Sequence, residues 1–180
     1  MPARDFGVHA EVARPILDRL QEIGIDVRRT MQGFLWITHQ LGHFADSIIL
    51  IDLDGANLNH PLELLDTLCH EAMHATGSVL KRWPENRQPE NRDSRASTFE
   101  EAVAITGAAM LTSLLAVGSK YDPATVKRKV DLSVGSNRVV FSEVEEQAAR
   151  AVSLLRKPPS TLSVIRRRIR EIIGNPILFV

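Results

Sequence analysis

The chain has 180 residues, 22 Lys+Arg against 22 Asp+Glu, and 44% hydrophobic residues. That size and composition fit one globular domain, residues 1–180, and exclude a disordered or low-complexity chain. Zero net charge excludes a surface given over wholly to nucleic acid, and a single cysteine, Cys69, excludes an internal disulfide or a four-cysteine zinc module.

In chain order, Val12, Ile16, Leu20 and Ile23 fall at helical spacing, which predicts a helix over Val8–Ile23 stopped by Gly24, with Pro15 in a first turn or at a kink. Met1–Pro15 carries Arg4, Asp5, Glu11 and Arg14 without an apolar run, so no secretory signal is expected there. Ile25–Val27, Phe34–Thr38 and Ser47–Leu53 are short, β-branched or aromatic, and read as strands. Pro61–Gly77 reads as a helix with Leu65, Leu68, Cys69, Ala72 and Thr76 on one face and Gly77 as its stop. A polar loop, Lys81–Arg95, leads to a second helix from Ser97 to about Val117.

Ala102–Ser119 carries no charge and approaches the ~18 residues of a membrane span. Its Gly, Ser and Thr content and its close charged flanks favour a buried core helix instead, so no membrane association is expected and the location is expected to be cytoplasmic. Asp122-Pro123 opens a short basic helix containing Lys127, Arg128 and Lys129. Ser142 and Glu145 have capping-box spacing and start a helix to about Arg156. A last amphipathic helix, 161–173, places Leu162, Ile165, Ile169 and Ile172 on one side and Arg166, Arg167, Arg168 and Arg170 on the other. The fold class is α+β, a small sheet packed on a helical majority.

His70-Glu71-Ala72-Met73-His74 is the sharpest chemical signal. Residues i and i+4 on a helix share a face, so both imidazoles can reach one metal ion, and the Glu between them can serve as general base. A catalytic zinc site needs a third protein ligand, often a carboxylate of a following helix. Glu100 and Glu101 are the candidates. Ser97 and Glu100 have capping-box spacing, which gives Glu100 a structural job and favours Glu101. Thr98 and Glu101 fit the same box, so the roles could be exchanged. Ala104, Gly107, Ala108 and Ala109 would let the second helix pack closely on the first.

Three other features invite a bland reading. His39 and His43 are also i,i+4, but lack the intervening Glu and a clear helix. Cys69 falls on the apolar seam and reads as a packing residue. The four arginines of 166–170 read as a solvated face, or as a contact for nucleic acid or an acidic partner.

Leu68–Gly77 with its HEAMHATG core, Lys81-Arg82, Phe99-Glu100-Glu101-Ala102-Val103-Ala104 and Gly107–Leu111 together resemble the zincin-like metallopeptidase domain of plasmid and phage antirestriction proteins, the ArdC-like group. The likeness spans about residues 34–156 and takes in Gly42–Leu50 and Val140–Ala151. The chain departs from the family at Ile105, where the family has Glu, and at Ala75, where a larger residue is frequent. The resemblance implies a zinc peptidase: His70 and His74 as ligands, Glu71 as general base, a Glu of the second helix as third ligand, and one zinc ion per chain. It also implies a protein or peptide substrate, in an antirestriction setting or, as in related SprT-like proteases, near DNA. The alternative is a catalytically silent zincin-fold binding protein that acts on DNA or a host defence protein through its basic surface.

Overall fold

The computed structural model describes residues 2–30, 48–52, 61–82, 95–117, 120–136 and 138–157. A 3-10 segment, Ala3–His9, leads into α1 (Ala10–Glu22). Strands β1 (Asp26–Thr30) and β2 (Ile48–Asp52) follow, then α2 (Pro61–Val79), α3 (Arg95–Leu114), α4 (Pro123–Val134) and α5 (Phe141–Arg156). The architecture is a helical majority with a two-stranded sheet, in keeping with α+β. The expected strand Phe34–Thr38, the His39/His43 pair and the arginine helix 161–173 lie outside the described residues.

The strands pair in parallel, Asp26 opposite Ile48 and Thr30 opposite Asp52. Parallel strands cannot be joined by a tight hairpin and require a crossover of a dozen or more residues. The intervening stretch 31–47 is long enough for that geometry. Val27 and Ile49, paired in register, are both buried in the main core.

Helix α2 is the hub. Leu65, Leu68, Cys69, Ala72 and Thr76 are all fully buried, as their shared face required. So are Met73 and Ala75, which makes the apolar face wider than the seam read from spacing. Met73 is covered by α3. Gly107 of α3 faces Met73: a Cβ added to the glycine would run into the Met73 Sδ and Cγ. Ala104 and Ala108 are buried in the same core as α2, and Gly107 leaves room for Met73. Ala104, Ala108 and Leu111 join the core shared with α2, while Ala102 and Val103 turn to a second cluster with Val126 and Val130 of α4 and Val144 and Ala148 of α5. Helix α3 is buried on two sides at once, which accounts for its lack of charge after Glu101. Among the described residues no helix is long and apolar enough to cross a membrane.

Helix ends show where local signals held. Asp122 caps α4 by accepting from the backbone N–H groups of Ala124 and Thr125, with Pro123 in the first turn. Helix α1 stops at Gly24, as expected: Gly24 adopts φ +85° and the Ile25 N–H reaches back to the Leu20 carbonyl. Pro15 sits inside this helix, not in its first turn. Two expectations fail. Helix α2 runs past Gly77 to Val79 and ends in the same type of motif, with Lys81 at φ +54° and the Arg82 N–H donating to the Gly77 carbonyl. Helix α5 begins at Phe141 with Val140 as its cap residue and no side-chain capping bond. Glu145, expected in a capping box, instead accepts from the Tyr121 hydroxyl at 2.7 Å.

Helix α3 also ends on a left-handed residue, the exposed Ala116 at φ +55°, with Val117 N–H donating to the Thr112 carbonyl. A Cβ is strained in that conformation. Ala116→Gly is therefore expected to stabilise the protein by about 0.5–1 kcal/mol, the relieved strain exceeding the entropy glycine adds to the unfolded chain. A rise in denaturation midpoint at unchanged m-value would report it.

Candidate metal centre

One turn of α2 separates His70 from His74, and the two rings meet edge to face with centroids 4.9 Å apart. Their Nε2 atoms converge to 3.2 Å. Glu101, near the start of α3, brings its carboxylate to the same point: Oε2 lies 3.4 Å from His74 Nε2 and Oε1 lies 3.7 Å from His70 Nε2. The packing of α3 on α2 brings this carboxylate of one helix to two imidazoles of the other. Among the described residues, His70, His74 and Glu101 form a group that could hold a metal ion, with candidate ligand atoms all within 4.8 Å of one another. The His70 side chain is 25% exposed and that of Glu101 38%, so the cluster opens to solvent on one side.

The electrostatics follow from this crowding. The His70 and His74 rings hold the Glu101 carboxyl far below the usual carboxylate range, against some desolvation. Burial disfavours a charge on His74, but Glu100, Glu101 and Glu71 outweigh it and raise the group to about 9. Glu71 is pushed up from the ordinary glutamate value, first by burial and further by the Glu101 charge, while the two histidines pull the other way. A raised carboxyl is a stronger base than a free one.

These shifts set a sign for pH dependence. Metal-free His74 holds a proton below about pH 9, and a bound ion must displace it. Apparent metal affinity is expected to rise by up to about tenfold per pH unit as the pH climbs toward 9, then to level off. The metal-free fold should show the opposite trend. Its His74 contribution is complete below about pH 6.5 and is lost as the pH rises through about 9. Chelator competition titrations and denaturation of the metal-free protein across pH 6–10 check both.

Glu100 does not join the group. It has the structural job expected of it, here with Arg82, and Ser97 lies inside α3, which begins at Arg95, and not at its cap position. Arg82 Nη2 donates to Glu100 Oε1 at 2.6 Å and Nε donates to Oε2 at 3.0 Å. The same guanidinium donates to the Met73 carbonyl at 2.7 Å and the Thr76 hydroxyl at 3.0 Å. Both side chains are almost wholly buried, Arg82 at 3% and Glu100 at 5% exposure. Burial alone would raise the Glu100 carboxyl; Arg82 and His74 bring it below the ordinary value instead. Arg82 was missed as a site residue by sequence reasoning. The available signal was its place just past the end of the histidine helix, where the chain turns back.

Cys69 is fully buried and its thiol is pushed up by desolvation, consistent with packing. Tyr121 lines a groove with Met110, Leu114 and Val152, and its hydroxyl is committed to Glu145. Lys127, Arg128 and Lys129 are exposed, with Lys127 paired to Asp131 at 2.7 Å. Arg166, Arg167, Arg168 and Arg170 lie outside the described residues.

Comparison with protein-family models gives no match, and neither the curated proteins nor the solved structures give one.

Proposed function

We propose that this protein is a zinc-dependent peptidase of the zincin-like kind. The observation that carries the reading is the convergence of two imidazole nitrogens and a carboxylate oxygen, spaced 3.2–3.7 Å, on two adjoining helices with Glu71 between the histidines. Two nitrogens and an oxygen are a donor set that suits zinc. A tetrahedron with zinc–nitrogen bonds of about 2.0–2.1 Å has edges of about 3.3–3.4 Å, so the donors need only small adjustments. His70, His74 and Glu101 would hold the ion. Zinc, when bound, acidifies water and polarises a carbonyl. Glu71 takes the proton from the attacking water and returns it to the leaving amine as the peptide bond breaks. The partly exposed His70 and Glu101 side chains leave the cluster open to a substrate from solvent.

The resemblance to the ArdC-like antirestriction domain supports the same reading through the HEAMHATG and Phe99–Ala104 motifs. On that resemblance we infer a substrate among proteins handled by mobile elements or associated with DNA, in the cytoplasm. The test is metal content together with proteolysis. Purified protein is expected to carry about one zinc per chain and to cut an unfolded protein substrate. Chelation should abolish cleavage, and stoichiometric zinc should restore it. Failure to take up zinc even when it is supplied would sink the proposal.

A further inference from the structure

The buried Arg82–Glu100 pair lies against the metal cluster and is not used by the mechanism above. Glu100 Oε1 stands 3.6 Å from His74 Nδ1, on the opposite side of the ring from the Nε2 that faces His70 and Glu101. The geometry points to Glu100 as the residue that positions His74, with Arg82 as the residue that positions Glu100. This rests on the zinc reading of the site.

Three observations carry it. Arg82 grips both carboxylate oxygens and is itself anchored to the Met73 carbonyl and the Thr76 hydroxyl, so Glu100 is tied to the last turns of the helix that bears His74. A carboxylate held this way stays charged in the interior, because its guanidinium partner is planar, bidentate and always cationic. A negative oxygen beside Nδ1 favours the tautomer with its proton on Nδ1, which leaves the Nε2 lone pair for a metal ion. Glu100 and Glu101, adjacent in sequence, thus take different duties: one faces the ion and the other faces the back of a ligand.

Glu100→Gln keeps the shape and removes the charge, but it strands a buried Arg82. The double variant Arg82→Met/Glu100→Gln removes the pair together and serves where the single variant does not fold. Two readouts apply to folded protein: zinc affinity by chelator competition, and the imidazole nitrogen signals of His74 by NMR in the zinc-loaded state. The expected result is a 10–100-fold loss of zinc affinity with a shifted His74 Nδ1 signal and faster exchange of its proton. A purely structural pair would lower the thermal midpoint and leave the His74 signals where they are. A folded variant with zinc affinity within about twofold of wild type and unchanged His74 signals overturns the positioning role alone. Wild-type protein that takes no zinc overturns the zinc reading, and this role with it.

Discussion

Glu71→Gln is expected to lower proteolysis by about 10²–10⁴-fold while the protein keeps its metal. The amide matches the carboxylate in size, so packing on α2 should survive. What disappears is a base. Glu71 sits between the two histidines in sequence but outside the group that could hold the ion, and burial strengthens it as a proton acceptor. Turnover on a protein substrate, measured beside zinc content, separates the two effects. Loss of activity with full zinc occupancy supports Glu71 as the base; full activity in Glu71→Gln would remove it from that role.

Glu101→Ala should act on the other half of the site. It deletes a ligand and also the negative charge nearest both imidazoles. Zinc affinity is expected to fall by more than about a hundredfold, beyond what loss of an outer hydrogen-bonding partner costs. His74 should at the same time titrate lower, because one of the charges that raises it is gone. Glu100 is not placed to take over, since Arg82 holds its carboxylate on the Nδ1 side of His74, away from the converging Nε2 atoms. With 38% of the Glu101 side chain exposed, truncation should leave the fold intact, and circular dichroism checks this. Competition titration that finds wild-type affinity in Glu101→Ala would sink its assignment as third ligand.

The histidine pair was legible in the sequence because helical spacing alone puts i and i+4 on one face. The choice of Glu101 over Glu100 followed from asking which carboxylate already had structural work. That reasoning led to the carboxylate that the structure groups with both histidines, but it did not foresee Arg82. It assigned Glu100 to a cap at Ser97, whereas Arg82, which grips both carboxylate oxygens, lies 18 positions back and meets it only through the packing of α3 on α2. Local patterns do not encode such a pairing. The same limit explains α2 running past Gly77: its end is set by the turn at Lys81, a residue type that rarely takes a left-handed conformation. It also explains Glu145, which accepts from the hydroxyl of Tyr121, 24 positions back in the stretch before α4. The parallel pairing of β1 with β2 depends on a crossover, and no short-range rule specifies its register.

The contact of Gly107 with Met73 has a further consequence for how the chain holds together. The donors on either side of it belong to segments far apart in sequence, His74 and Glu101 being 27 positions from one another. An ion gripped by both is a removable crosslink that closes the loop between them, and part of its binding free energy is spent on keeping the two helices from parting. Loading and release of the ion would then be felt as a change in the opening of the α2–α3 pair, visible in the exchange of backbone amides along both helices. Glycine at 107 leaves room for the Met73 side chain between the two helices, one residue from the ligand His74.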